Sequence, residues 1–396
     1  MRYSFRLAEV VGHVTDPRKR PGTIKSICEY TGLDRHQVAA LLKNEVKYIP
    51  LDALSKLCDY LIERGFVSAD ELPGRLFAVE PEHFWELLAR RRRLELCMGV
   101  RRGDPNDSLD DAWVVASDSV LLGELLNGVT SLGGSARHPR EATPPEPGKP
   151  PKAAGPHPEH LHQSLVWSPA EGKPDEYRAL AREVYDSFCG TAGDKALISL
   201  GSVKSNPTVE IMVANAFGCE PFVPQVKQPV AARRRCPFYF FYRPNDPQVP
   251  SCCGGMDLSQ DQTSNRPGIY YEQANGKWDL CPWDENAQDA AFVFYIHRES
   301  QGRLEMVVGG YSGRATRLLA RMLARRGEEF WPPVYSDFGI QIGAFLVKFS
   351  LTGSPGQDRE LLQTDVYAGT EIIRVDPQVI ERRMKAEEAE PMGETS

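Results

Sequence analysis

The stretch TIKSICEYTGLDRHQVAALLKN, Thr23 to Asn44, reads as two short helices joined by a tight turn. Ile24, Ile27 and Cys28 stand at i, i+3 and i+4 on the first, and Val38, Leu41 and Leu42 repeat that spacing on the second, so each helix has one stripe to bury. Gly32 lies between them. Without a Cβ it accepts a positive φ, which lets the chain reverse within a few residues. Asp34 followed by Gln37 has the form of a capping box for the second helix.

The same residues resemble, position by position, the helix-turn-helix of the Cro and phage-repressor (XRE-like) family. Small Cys28 stands where the helices cross, Gly32 and Leu33 form the turn, and Val38 and Leu41 are the buried positions of the recognition helix. The resemblance covers residues 3 to 66, and it departs from the family at Glu45, where glycine is usual after Asn44. A different exit from the second helix is therefore expected. The resemblance implies double-stranded DNA as partner, with Arg35, His36 and Gln37 at the N-terminus of the recognition helix reading base edges. Arg35 suits guanine; Gln37 suits adenine unless the capping box consumes it. Lys43 and Lys47 would hold phosphates, and a single module of this size binds specific sites weakly, which raises the expectation of a homodimer.

Charge agrees by segment rather than as a whole. The chain of 396 residues carries a formal net charge of −7, which argues against a whole-surface nucleic-acid binder, yet residues 1 to 50 hold nine Lys or Arg against five Asp or Glu. A chain of this length exceeds one core and implies several domains. The nine cysteines show no C-x-x-C pair, so no metal site and no cofactor is expected. No leader and no apolar run of about 18 residues is visible, which places the protein in the cytoplasm, off the membrane, with reduced thiols.

Working outward, Arg2 to Val14 is predicted as a first helix carrying Leu7, Val10, Val11 and Val14. Arg18, Lys19 and Arg20 form a charged connector, either a solvated loop or a phosphate contact. Pro50 opens a helix with Leu51, Leu54, Leu57, Cys58 and Leu61 on one stripe, ended by Gly65. The DNA-binding domain is set at 1–77. A helical middle segment, 78–132, is predicted from Glu80 to Met98, with the basic run Arg90 to Arg93 in its C-terminal half, followed by a short strand at Trp113 and a helix at Ser119 to Val129. Residues 133–160 are rich in Pro and Gly and read as a linker. His157, His160 and His162 at its end lack the spacing of a metal site.

From 161 to 380 apolar strands alternate with helices, the pattern of an α/β domain, here expected to be Rossmann-like, with a charged tail at 381–396. The fold class is thus multidomain, an all-α helix-turn-helix domain followed by α/β. Two strand-to-helix turns stand out. One contains Gly201, Ser202, Lys204, Ser205 and Asn206 before Pro207; the other contains Gly309, Gly310, Ser312 and Gly313 before Arg314. Exposed N–H groups and a helix N-terminus suit an anion, and in open parallel sheets ligands bind at the carboxyl ends of strands. The two turns serve either as a cradle for a small anionic or nucleotide-like ligand or simply as structural turns, since neither carries a dinucleotide or P-loop fingerprint. Catalytic residues are not assigned. Glu210, Glu220, Asp289 and Glu305 have no pairing visible from spacing, His297 ends a strand, and Cys252 beside Cys253, adjacent and so poorly placed to chelate one tetrahedral metal together, reads as a free-thiol loop or a redox sensor. The function implied is a sequence-specific transcriptional regulator whose C-terminal domain senses a ligand; the alternative is a nucleotide-processing enzyme targeted or regulated by its helix-turn-helix.

Overall fold

The computed structural model describes residues 2–12, 22–43, 45–46, 48–69, 72, 76–89, 91, 93–104, 106–131, 160–171, 173–191, 194–258, 265–337, 339–351 and 365–385. The predicted linker at 133–160, apart from His160, which opens a strand, lies outside these, as do Arg18 to Arg20, Lys47 and the tail beyond 385. The chain divides into two compact units, Met1–Glu82 with Arg298–Arg303 and Asp337–Ile340, and His83–His297 with Leu304–Ser336 and Gln341–Ser396.

In the first unit β1 (Arg2–Phe5) pairs antiparallel with β2 (Phe77–Glu80), Arg2 opposite Glu80 and Phe5 opposite Phe77. The helix predicted over residues 2–14 is therefore a strand followed by one short helix, α1 (Leu7–Val10). The strand exists because a partner more than seventy residues away completes its ladder, and no local period shows that. Between the strands stand α2 (Thr23–Thr31), α3 (Arg35–Leu42) and α4 (Leu51–Glu63). α4 buries Ala53, Leu57, Tyr60 and Leu61, one helical stripe, against a core of Leu7, Ile27, Val38 and Leu41. The Tyr60 hydroxyl donates to Ser26 Oγ at 3.0 Å, which ties α4 to α2.

The second unit is built on a sheet that reaches nine strands among the described residues. After the short helix α5 (Glu86–Ala89), β3 (Arg93–Arg101) runs through it, so the helix predicted from Glu80 to Met98 is not formed. Every side chain from Leu94 to Val100 is buried. Successive strand residues face opposite sides, so both faces are covered, and such a run carries no alternation to distinguish it from a buried helix. β4 (Trp113–Val114) extends β3 antiparallel, and α6 (Ala116–Ser131) follows. β5 (His160–Trp167) pairs parallel with one edge of β3, Arg93 opposite His160. Helix α7 (Pro174–Gly190) leads to β6 (Lys195–Leu200), parallel on the other edge with Met98 opposite Leu200, and then to α8 (Pro207–Ala216). The segment read as a helical middle thus contributes β3 and β4 to the sheet besides its helices, with α6 as its one long helix among the described residues.

A smaller four-stranded sheet holds β7 (Phe238–Phe241), β8 (Gly254–Gly255), β9 (Gly268–Glu272) and β10 (Trp278–Pro282) around Tyr239, Phe241 and Tyr270. The large sheet resumes with β11 (Gln288–Arg298) and β12 (Arg303–Gly310), continues through α9 (Gly313–Arg326), β13 (Tyr335–Asp337) and β14 (Ile340–Ser350), and ends with β15 (Thr370–Arg374), antiparallel to β14, and α10 (Pro377–Lys385). The lateral order β13-β14-β11-β12-β6-β3-β4 puts β12 beside β6, so the turns that end them are neighbours. α7 packs on α8 and α6 on α9. The C-terminal region is rich in strands and sheets, with helices between them.

Glycines set the spacing at the strand ends. A Cβ on Gly99 would lie 2.0 Å from the Ser205 carbonyl oxygen, and one on Gly309 would lie 2.4 Å from that of Gly201. Gly99→Ala is expected to cost about 1–3 kcal/mol through forced backbone displacement, read as a lower urea midpoint at unchanged m. An unchanged midpoint would show that β3 and the 201–206 turn are not in contact.

Candidate nucleic-acid interface and strand-end site

The α2–α3 reversal is built from backbone conformation and local hydrogen bonds. Gly32 has φ 76° and its N–H donates to Cys28 O at 3.0 Å, closing α2. Asp34 Oδ1 accepts from the N–H groups of His36 and Gln37 at 2.7 and 2.9 Å, and Gln37 Oε1 accepts from Asp34 N–H at 3.1 Å. The capping box is complete. It leaves Arg35 and His36 exposed on the first turn of α3 and Lys43 exposed at its end. It also engages Gln37, the alternative that the sequence left open for that residue. With Oε1 engaged, Gln37 has no bidentate pair to offer adenine unless the box opens. At the far end Glu45 N–H donates to Ala40 O at 2.9 Å, the bond that closes a Schellman-type helix end, so the departure from glycine at position 45 is accommodated.

A short helix, a tight glycine turn and a capped second helix with an exposed N-terminal face are the parts of a helix-turn-helix DNA-binding module. Residues 18–62 match the family model of the Cro/C1-type helix-turn-helix DNA-binding domain. No curated protein and no solved structure matches the chain. Among the described residues no helix is long and apolar enough to cross a membrane.

In the second unit the two turns picked out by sequence meet. Gly201 N–H donates to Val308 O at 3.0 Å, continuing the approach of β6 and β12. Their polar groups, however, serve the protein itself. Asn206, fully buried, accepts from Thr208 N–H at 3.0 Å as the cap of α8 and donates to the carbonyls of Cys97 and Leu200, both at 3.1 Å. Ser205 Oγ accepts from Ser202 N–H, Lys204 N–H lies 3.4 Å from Ser202 Oγ, and the N–H groups of Ser205 and Asn206 go to the Ser202 carbonyl. In the second turn Ser312 Oγ caps α9 by accepting from Arg314 and Ala315 N–H, and Gly310 N–H reaches Thr316 Oγ1. Gly313 opens α9 with its Cβ position near Ser117.

The two cations are neutralised internally. Lys204 Nζ, buried, donates to Asp246 Oδ2 and to the Tyr311 carbonyl, both at 2.9 Å, and lies 3.7 Å from the centre of the Tyr311 ring. Burial brings its pKa down to about 8 against the attraction of Asp246. Burial also works against the charge of Asp246, but the Arg243 guanidinium, at 2.6 and 2.9 Å from Oδ1, and Lys204 hold that carboxyl below its usual range. Arg314 donates to the carbonyls of Asp284 and Glu285 and lies 3.6 Å from Asp289 Oδ2. Asp289, fully buried, accepts from Ser312 Oγ and from Ala290 N–H. The strand ends therefore hold a network in which Lys204, Asp246 and Asp289 are buried and Arg243, Ser312 and Arg314 half-buried. Asp246 and Arg243 were not legible as members, because the signal that calls for them is a buried lysine 42 residues away.

The remaining candidates separate. His297 is buried between Arg91, 3.0 Å from Nε2, and Gln341, 3.2 Å from Nδ1, and Glu305 accepts from Tyr185. Glu210 is brought to Cys252 and Cys253, a grouping that spacing did not reveal.

Burial raises Asp289 to about 6 from 3.8, with the Ser312 hydrogen bond acting in the other direction. Between these values the folded chain keeps a proton that the unfolded chain has released, so this group's contribution falls as pH rises from 3.8 to about 6. The stability difference between the native protein and Asp289→Asn is expected to shrink across that window in urea titrations. A pH-independent difference would mean that Asp289 is ionised throughout.

Proposed function

We propose that this protein is a sequence-specific DNA-binding transcriptional regulator. The observation that carries the reading is the closed capping box on a family-matched helix-turn-helix, which leaves Arg35 and His36 exposed at the start of α3. In this reading those two side chains meet base edges, with Arg35 donating to guanine, while Lys43 and Lys47 hold phosphates. A homodimer would supply two half-site readers and the avidity that one module lacks.

We further propose that the C-terminal region is a Rossmann-like domain that senses a small anionic, nucleotide-like ligand, a reading supported by the parallel pairing of β5, β3 and β6 and by the strand-end turns. Support comes from the convergence of Gly201, Ser202, Lys204 and Ser205 with Gly309, Gly310, Ser312, Gly313 and Arg314 beside buried charge. Because Lys204 is already paired, an anion would enter by displacing Asp246 from it, and Asn206 would act as a positioning residue rather than a ligand contact. A second reading, an enzyme acting on nucleotides, rests on the gathering of Lys204, Asp246, Asp289 and Arg314 at the strand ends, where burial brings Lys204 down to about 8 and Asp289 up to about 6. Turnover of a nucleotide separates the two, since a sensor returns its ligand unchanged.

The DNA-binding reading is tested by selecting bound duplexes from a random pool. Arg35→Ala is expected to cost about 1–3 kcal/mol and relax preference at one base position, whereas Lys43→Ala should weaken all sequences alike and flatten the salt dependence by about one unit of slope. Recovery of no consensus by the native protein would reject sequence-specific binding.

A further inference from the structure

Glu210 lies on the buried face of α8 and is 1 % exposed. Its Oε1 accepts from the N–H groups of Phe222 at 2.9 Å and Cys252 at 2.6 Å, and its Oε2 accepts from Ser251 Oγ at 2.5 Å. All three donors are neutral. Phe222, a non-glycine residue, takes φ 60° to aim its N–H at the carboxylate, a conformation L-residues adopt only at a cost of about 1–2 kcal/mol. The backbone is thus shaped around this acid.

Sulfur surrounds it. Cys253 Sγ stands 4.0 Å from Glu210 Oε2, and the ligand atoms of Glu210, Cys252 and Cys253 all lie within 4.8 Å of one another. Cys253 also meets Cys236, which is buried, and Cys252 meets Cys219, which is half-buried. The four thiols come from the end of α8, the approach to β7 and the approach to β8, and none is in a disulfide. A chain of four thiols, Cys236 and Cys253 buried and Cys219 and Cys252 half-buried, ending on a carboxylate with neutral donors is a donor set in search of positive charge. Thiolate sulfur with one carboxylate oxygen suits a borderline-soft divalent ion that accepts tetrahedral geometry. Tetrahedral ligation at a Zn–S distance of about 2.3 Å sets sulfurs about 3.8 Å apart, so closing the cluster on an ion requires movements of about 1 Å.

We propose that Glu210, Cys252, Cys253 and Cys236 form a structural zinc site, with Cys219 flanking it. The ligand atoms that already lie together are those of Glu210, Cys252 and Cys253; Cys236, the buried thiol that interacts with Cys253, would move in as the fourth ligand and close the site to water. Adjacent cysteines are an unusual pair for one ion. Here the turn at residues 251–253, held by Ser251 Oγ accepting from Cys253 N–H at 3.1 Å and by Glu210 accepting from Cys252 N–H, brings both sulfurs to the same carboxylate. On binding, the thiols lose their protons to solvent and the ion gains thiolate charge; no oxidant or reductant is needed. The site would tie α8 to the lead-ins of β7 and β8, and so brace the smaller sheet.

The test uses the full-length protein purified under reducing conditions in zinc-supplemented medium. Elemental analysis should give about one zinc per chain, falling to less than about a tenth in Cys253→Ser, because a closed site does not survive loss of a ligand. Glu210→Gln, which keeps an acceptor for the Phe222 and Cys252 amides and a neutral oxygen for the ion, should still fold but bind zinc at least about 10-fold more weakly, since losing a ligand's charge costs no less than losing an outer-shell partner. Cobalt exchanged into the native protein should show sulfur-to-metal charge transfer that is absent in Cys252→Ser. Chelation should lower the melting temperature of the native protein, and zinc, not magnesium, should restore it. The proposal is overturned if reduced native protein takes up no zinc, if Cys252 or Cys253 is found in a disulfide in the zinc-supplemented preparation, or if Glu210→Gln binds zinc as tightly as the native chain.

Discussion

The close approach of backbones at the carboxyl ends of β3, β6 and β12 is the constraint on which the C-terminal site depends. Gly99 makes room for the Ser205 carbonyl, and Gly309 lies against Gly201. With the chains that near, the Asn206 amide can join Cys97 to Leu200 while its oxygen caps α8. One buried side chain thus fixes two strands and a helix, and the loop between them must carry Lys204 inward. The burial of that ammonium follows from backbone packing, and Asp246 is what makes it tolerable.

Electrostatics at the strand ends then form a closed account. Lys204 and Arg243 share Asp246, while Ser312 and Arg314 attend Asp289. A bare anion cradle would present unpaired N–H groups. Here the turn N–H groups of 202, 205 and 206 are bonded within the turn and those of 314 and 315 to Ser312. Any ligand must therefore exchange partners with the protein, which favours a charged group able to replace a carboxylate over a weak neutral one.

Legibility from sequence followed the range of the interactions. The helix-turn-helix was readable because its determinants fall within about twenty residues: two apolar stripes, Gly32 in the left-handed region and the Asp34 and Gln37 box. The presence of strands and helices after residue 173 was readable too, since the glycine- and serine-bearing turns before Pro207 and Arg314 mark where strands give way to helices. Residues 2–5 were not, because β1 is a strand only through β2. Nor were residues 93–101, whose buried run fits helix and strand alike. The two side-chain clusters of the second unit were illegible for one reason: Lys204 with Asp246 and Glu210 with Cys252 each join positions 42 apart, on elements that only the sheet order brings together. Gln37 shows the converse, a residue legible in two roles between which only geometry chooses.

The central claim is that the capped N-terminus of α3 is the surface that meets DNA. Amide hydrogen exchange of the full-length protein, with and without a duplex recovered by selection, measures this directly. The account predicts that slowing of exchange is concentrated in residues 32–43, in the turn and recognition helix. Slowing confined to the second unit, with residues 32–43 unchanged at saturating duplex, would contradict it.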